Sequence, residues 1–183
     1  MLLLALNCCP SKPQIRAFDR RIMAWHRSNE TSKRLDAIPG VGPALATALV
    51  ASIGDPKAFR SGRDFSAWIG LVPKQNSSGG KDKLGNISKQ GDRYLRSLFT
   101  AGALAVIRYA KLHGTGHRPW LAALRARRPT KVAAIALANK IARMAWAMMK
   151  RGEHYKEPVA LAALKEIAPG IRRDVSGWEG KPH

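Results

Sequence analysis

The most apolar segment of the chain, residues 129–151, has a pattern that suits a helix buried on most of its sides. Its apolar side chains recur at helical spacing and cover most of the circumference: Val132, Ile135, Leu137, Ile141, Met144, Trp146, Met148 and Met149. A helix with this pattern is stable when other elements surround it. The alternation of apolar and polar residues that is typical of half-buried strands is nearly absent from the sequence. The chain is therefore predicted to be all-α, with this helix at its centre.

Shorter segments predict the other helices. Residues 44–53 follow Pro43, which suits the first turn of a helix, and precede Gly54, which suits its end. Residues 73–90 have few apolar side chains and could hold a small β structure. Further helical patterns cover residues 65–71, 91–112, 117–126 and 158–167.

The first predicted helix, residues 12–36, carries an apolar seam. Its members follow one another at alternating spacings of three and four, with the polar Asn29 next in the series: Ile15, Phe18, Ile22 and Trp25. This is the a/d pattern of about two heptads of a coiled coil. Either a partner helix or the body of the same chain would bury such a seam, and two heptads are too few to decide between them.

A hinge rich in glycine and proline, residues 38–43, follows this helix. Its sequence, Ile-Pro-Gly-Val-Gly-Pro, has the form of a helix-hairpin-helix in which Gly40 and Gly42 permit a tight turn. Backbone N–H groups of the turn and of the next helix could then point at one phosphate. The alternative is a helix–helix turn that binds nothing. In a chain as basic as this one we expect contact with a nucleic-acid backbone.

A second glycine-rich stretch, residues 75–81, places Ser77 and Ser78 side by side in a loop. Glycines let backbone N–H groups turn toward an anion. Cationic residues surround the loop in sequence: Lys74, Lys81, Lys83, Lys89, Arg93 and Arg96. A serine that attacks a phosphodiester needs such cations and also a base, which no histidine of the loop supplies. The segment is either a phosphate-handling loop with a candidate nucleophile or a flexible, solvated surface loop.

The net charge indicates the class of partner. The chain has 183 residues, with 32 Lys and Arg against 12 Asp and Glu, a formal charge of +20. Charge of this size opposes compaction and indicates a polyanionic partner, most often nucleic acid. Lys140 and Arg143 form part of a basic stripe on the central helix. A membrane surface is the competing polyanion, but no apolar run approaches the roughly 18 residues of a membrane span. We expect no membrane partner.

The sequence offers no evident metal site. Its carboxylates are scattered, with no pair or triad at metal-ligand spacing, and glycines intervene between His113 and His117. Cys8 and Cys9 are adjacent, which disfavours a bridge between them and matches no zinc site. We expect no cofactor bound by this chain, and a reducing, cytoplasmic environment.

Several motifs, in order, closely resemble the C-terminal half of IS110/IS116/IS902-family transposases. They are residues 38–55, Gly-Leu-Val-Pro at 70–73, Ser-Ser-Gly-Gly-Lys at 77–81, residues 85–96 and residues 136–146. The resemblance covers roughly residues 12–155. On this basis we divide the chain into an unmatched leader, a helical arm, a transposase C-terminal domain, and a C-terminal helix and tail: residues 1–11, 12–37, 38–155 and 156–183.

The resemblance implies a DNA recombinase that moves an insertion element. In such enzymes a serine attacks DNA and forms a transient phosphoserine link; Ser78 is the better match to that serine and Ser77 the reserve. It also implies a structured guide RNA in some members and oligomers formed partly through the arm that carries the apolar seam. We expect contacts to nucleic acid from Gly40, Gly42, Lys74, Lys81, Lys83, Lys89, Arg93, Arg96, Lys140 and Arg143.

The sequence departs from the family in one respect. Family members carry an N-terminal RuvC-like domain with an acidic metal-binding set, and residues 1–11 do not match it. We therefore expect a truncated copy of such a transposase. Mg²⁺ and the general base would be supplied only by the RuvC-like domain. The runner-up is a non-catalytic nucleic-acid-binding fragment that regulates intact relatives. A third class, an RNA-associated basic protein, would prefer folded RNA over duplex DNA. In all three cases the expected location is the bacterial cytoplasm, at the nucleoid for a transposase.

Overall fold

The computed structural model describes residues 12–76, 84–113 and 119–156. This part of the chain is mostly helical, and the prediction of an all-α fold is confirmed. Two short strands also form within residues 73–90. In chain order the elements are α1 (Lys12–Ser28), α2 (Glu30–Asp36), α3 (Pro43–Ser52), α4 (Gly62–Ile69), β1 (Pro73–Gln75), β2 (Leu84–Ile87), α5 (Arg93–His113), α6 (Pro119–Arg127) and α7 (Thr130–Arg151), with a 3₁₀ turn at Pro56–Ala58. The helix predicted at 158–167 lies outside the described residues.

The central position predicted for α7 is confirmed. Helices α2, α4, α5 and α6 all pack against it. Its buried side is largely alanine: Ala134, Ala138, Ala142 and Ala145 are at most 1% exposed. Small side chains let neighbouring helices approach closely, and α5 brings larger ones, Phe99 and Ile107, to the same core.

The length and composition of α7 correct one expectation from the sequence. It has 22 residues, and its most apolar stretch of 18 has a mean hydropathy of 1.2, which is long and apolar enough to cross a membrane. Length by itself therefore does not exclude a membrane span. The same properties suit the core helix of a folded domain, and the packing of four other helices around α7 fits that role.

The single helix predicted over residues 12–36 is two helices, α1 and α2. Asn29 separates them with an extended backbone, and its side chain accepts a hydrogen bond of 2.9 Å from the Ser32 N–H. Asn29 is therefore a helix cap rather than the next position of an apolar seam. A second contact joins the two helices, because Nδ1 of the buried His26 lies 2.7 Å from Oγ of Ser32.

A tight turn joins α2 to α3. The Val41 N–H donates to the Ile38 carbonyl at 2.9 Å, with Pro39 and Gly40 between them. Gly40 has a φ of +94°, which suits the third position of a type II turn. Ile38 and Val41 are buried, so they anchor the turn in the core. The helix-hairpin-helix assignment of this turn stays a prediction.

Strands β1 and β2 form an antiparallel hairpin. Pro73 pairs with Ile87 and Gln75 with Leu84, with an irregularity in register between the two pairs. Beyond the strands, the Ser88 N–H donates to the Val72 carbonyl at 2.9 Å, which holds the base of the hairpin together. The connection between the strands includes Ser77, Ser78, Lys81 and Lys83, which lie outside the described residues.

Candidate nucleic-acid interface

A cleft of about 1520 Å³ opens between the β hairpin and α7. The first residues of α4 and α6 complete its walls. Side chains of α7 line it at steps of four, from Lys131 through Ile135 and Asn139 to Arg143. This spacing keeps them on one side of the helix. The cleft therefore runs beside the central helix of the fold.

Local interactions fix the start of α4 at the cleft. Ser61 caps the helix, because its Oγ accepts a hydrogen bond from the Asp64 N–H. A Cβ added at Gly62 would lie 3.1 Å from the Trp146 ring, so the helix start and α7 are in close contact. The Trp146 indole N–H also donates to the Pro56 carbonyl at 3.0 Å. These contacts place Arg63 at the cleft wall.

The electrostatics of the cleft come from cations of three separate segments. All five are exposed: Arg63 of α4, Lys89 after β2, and Lys131, Lys140 and Arg143 of α7. None of them forms an ion pair, and no carboxylate is among the lining residues, as far as the structure describes the chain. A cleft lined by one sign of charge concentrates ions of the opposite sign. This cleft therefore suits a polyanion.

Trp120, near the start of α6, brings an aromatic ring into this cationic wall. It is 40% exposed, and the Lys140 ammonium lies 4.5 Å from its ring centroid. This is a cation–π contact, which holds the ammonium beside the cleft. Lys150 makes a similar contact with Trp146, at 4.8 Å, but does not line the cleft.

Lys89 reaches the cleft from an unusual backbone conformation. Its φ is +57°, in the left-handed region that residues with a Cβ rarely adopt. Its N–H donates to the Gly70 carbonyl at 3.3 Å, which fixes the chain against the end of α4. A left-handed residue other than glycine costs about 1–2 kcal/mol. Such strain persists where surrounding contacts impose it, and it often occurs at functional sites.

The structure brings together some of the predicted contact residues and separates others. Lys89, Lys140 and Arg143 line the cleft, whereas Lys74 and Arg93 are exposed outside its lining. Arg96 is half-buried and donates to the Ile69 carbonyl at 2.8 Å. That hydrogen bond satisfies a carbonyl at the end of α4, so Arg96 has a structural role whether or not it meets phosphate.

The two glycines of the α2–α3 turn do not line the cleft. Gly40 packs inward: a Cβ there would lie 3.0 Å from atoms of both Val106 and Ile141. Gly42 is different, because nothing lies within 4 Å of its Cβ position and it caps α3 without a side-chain hydrogen bond. Pro43, the first residue of α3, has no N–H, and no described side chain caps the helix, so the N–H groups that follow Pro43 are a candidate contact for an anion. The turn and the cleft are thus separate candidate contacts.

Two of the five cleft cations, Arg63 and Lys131, were not predicted from the sequence, and neither was the exposed ring of Trp120. Lys131 could have been found, since it stands three steps of four before Arg143 on the same helix. Arg63 and Trp120 belong to other helices. No local pattern relates them to α7, and only tertiary packing brings them to the cleft.

The described residues do not suit a divalent metal site. Across residues 12–76, 84–113 and 119–156, no three His, Cys, Asp or Glu side chains come together in a way that could hold a metal ion. The chemistry available in the described part of the cleft is therefore that of cations, amides and two indoles, those of Trp120 and Trp146.

Comparison with known proteins shows which family this chain resembles. Residues 32–118 match the transposase family IS116/IS110/IS902. Three similar relatives have transposase names. A provisionally named family 20 transposase of Pseudomonas aeruginosa is 48% identical over 143 residues, which are 78% of this chain and 42% of that protein. The provisionally named transposase y4pF/y4sB of Sinorhizobium fredii is 46% identical over 145 residues, 79% of this chain and 38% of that protein.

The third relative, the transposase for insertion sequence element IS1111A of Coxiella burnetii, is 42% identical over 139 residues. These residues are 76% of this chain and 38% of that protein. The chain belongs to the IS116/IS110/IS902 family of transposases, as the sequence motifs predict. It spans about two fifths of the length of these relatives.

Proposed function

We propose that this chain is a DNA-handling domain of a transposase and that its cationic cleft binds the nucleic-acid backbone. The proposal is carried by the convergence in one cleft of five cations, none of which has an ion pair within the described part of the chain. Family membership supports DNA as the polyanion, because the relatives are named as transposases. The net charge of +20 supports the same class of partner.

Salt dependence tests this binding mode. If each of the five cleft cations meets one phosphate, log K should fall with log salt at a slope of about −4.5 on duplex DNA. Lys140→Gln should reduce the magnitude of that slope by about 1. The matched control is Lys150→Gln, which removes the same charge from the same helix at a residue that does not line the cleft.

The measurement is equilibrium binding to a labelled duplex from about 50 to 200 mM salt, the range in which phosphate contacts dominate the change in affinity. A slope near zero for the wild type would refute binding through the backbone. Equal slopes for the two lysine variants would show that the bound DNA does not occupy this cleft.

We further propose that Ser78 is the nucleophile, with Ser77 in reserve. Pro73 of β1 and residues 85–87 of β2 line the cleft, and these two strands flank the segment that contains both serines. In the reaction, the serine oxygen bonds to phosphorus as one P–O bond to deoxyribose breaks. The serine proton passes to a base, and the departing oxygen gains a proton. Because the phosphoserine keeps the phosphodiester bond energy, the reverse attack rejoins the strands.

Mg²⁺ enters this proposal only from outside the described residues, which do not fit a site for it. The family resemblance places the acidic metal-binding set in a RuvC-like domain. We therefore assign no step to a metal on this chain. The contribution that we assign to its own residues is to bind the backbone and to present the serine.

A covalent adduct tests the serine assignment. Element-end DNA incubated with this chain, and with an acidic RuvC-like domain of the family supplied in trans, should give a protein–DNA adduct stable in denaturant. Ser78→Ala should abolish the adduct, whereas Ser77→Ala should retain it. Retention of the adduct in Ser78→Ala and its loss in Ser77→Ala would transfer the role to the reserve residue.

The second candidate function is a non-catalytic nucleic-acid-binding fragment that regulates intact relatives. It is favoured if the wild-type chain shows the salt-dependent binding but no adduct under any of these conditions. A guide RNA is a further proposed partner. Tighter binding to folded RNA than to duplex DNA in the same assay would support RNA as the main ligand.

A further inference from the structure

We propose that the cleft binds an unpaired nucleotide and that the indole of Trp120 stacks on its base. This inference rests on the proposed function, because it specifies the form of nucleic acid that the cationic cleft takes. Its central observation is an exposed aromatic ring in a wall whose charged residues, among those that the structure describes, are all cationic.

The position of Trp120 suits a stacking platform. The side chain remains 40% exposed although it lines the cleft, so part of the ring is available to a ligand. Lys140 places its ammonium 4.5 Å from the ring centroid. A planar ring has two faces, and a cation on one of them leaves the other for a base. The same ammonium would then lie beside the phosphate of the stacked nucleotide.

The shape of the site favours unpaired over paired bases. In a duplex the face of each base is covered by its neighbours, and proteins contact the base edges through the grooves. A side chain in the wall of a cleft can stack only on a base that has left the helix. The cleft, at about 1520 Å³, also exceeds the usual 300–1,000 Å³ of small-molecule pockets. It has room for a segment of a polymer.

A polar group in the same wall adds a means of holding the base. Asn139 lines the cleft one residue before Lys140, is half-buried, and makes no hydrogen bond within the described part of the chain. Its amide offers both donors and an acceptor. The aromatic face would contact the ring of the base, the Asn139 amide would contact its edge, and the surrounding cations would contact the phosphate.

The test compares a single-stranded oligonucleotide with a duplex of the same sequence. Stacking of one base on an aromatic side chain is worth about a 5- to 150-fold change in affinity. Trp120→Leu should therefore weaken single-strand binding about tenfold or more and change duplex binding less than about twofold. Trp120→Phe keeps a ring and should retain most of the affinity. The matched control is Trp68→Leu, because Trp68 is also 40% exposed, lies on α4 and is outside the lining of the cleft.

Tryptophan fluorescence gives a readout that a structural role would not change. Single-strand binding should quench the emission of the wild type and of Trp68→Phe, and the quench should be smaller in Trp120→Phe; a part of it remains there because Trp146 also lines the cleft. Circular dichroism and thermal unfolding check that each variant is folded. If Trp120→Leu does not fold, the quench in Trp120→Phe still decides the matter: an undiminished quench overturns the inference.

The outcomes separate this inference from the function on which it rests. Equal single-strand affinities for Trp120→Leu and Trp68→Leu, or equal losses on single strand and duplex, overturn the stacking role. The cleft would still stand as a backbone-binding site if Lys140→Gln lowers the salt slope. If the wild type binds neither oligonucleotide, both proposals fail.

Discussion

At the scale of single residues, two glycines govern the packing of the α2–α3 turn on the core. A Cβ at Gly102 of α5 would lie 1.9 Å from the Gly40 carbonyl oxygen, which is far inside any permitted contact. Gly40 itself adopts a φ of +94° and packs against Val106 and Ile141. Both positions therefore need glycine: Gly102 for space alone, and Gly40 for space and for its backbone conformation.

We expect Gly40→Ala to lower the free energy of unfolding by about 2 kcal/mol or more, since it adds strain at positive φ to overpacking. Gly102→Ala should lower it by about 1–3 kcal/mol through overpacking alone. Gly42→Ala is the control. It meets open space at a φ of −96° and should cost less than about 1 kcal/mol. Urea unfolding followed by circular dichroism measures all three, and equal midpoints would contradict this account of the turn.

At the scale of elements, α1 carries an apolar face that the described chain does not cover. The seam residues are 39–57% exposed: Ile15, Phe18, Ile22 and Trp25. Of the two alternatives open from the sequence, burial on the chain's own body is not found in the described residues. A partner helix is the other, and a second copy of the chain can supply the same seam. Self-association through α1 stays a prediction.

The double variant Phe18→Ser, Ile22→Ser should shift the chain from oligomer to monomer, because it removes apolar surface from the centre of the seam. The control is Arg16→Ser, Arg20→Ser, which alters exposed residues of α1 at the same spacing but on another face. Light scattering coupled to size-exclusion chromatography gives the mass. A wild type that is monomeric at every concentration, or a double variant that remains oligomeric, would rule out the seam as the contact.

The sequence patterns predicted some of the helices and strands correctly and others only in part. Proline and glycine at its ends located α3, and helical patterns in the sequence located α4, α5, α6 and α7. The helical spacing also joined α1 and α2 into one helix, because it continues through Asn29 although that side chain caps α2 instead. The hairpin was foreseen only as a small β structure within residues 73–90. Its strands are short, and their pairing depends on contacts across the loop.

At the scale of the whole molecule, the charge predicted the class of partner but not the place where the partner binds. Lys140 and Arg143 were found because they share one helix, and Lys89 because it follows the serine loop in sequence. Of the other two cations of the cleft, Arg63 comes from α4, and Lys131 lies nearer the start of α7. The charge of +20 is spread over the chain, so convergence at one site is a property of packing.

By itself, the sequence determined the helical class, the central position of α7, the turn at Gly40 and the family, since each depends on local spacing or on motifs in order. Only the tertiary structure decided that Gly40 faces the core, that Arg96 holds the end of α4, and that Trp120 joins five cations in one cleft. The physical reason is distance along the chain. Periodicity relates residues within one helix, whereas the cations of the cleft lie up to 80 positions apart, Arg63 to Arg143, and only the packing of the core brings them together.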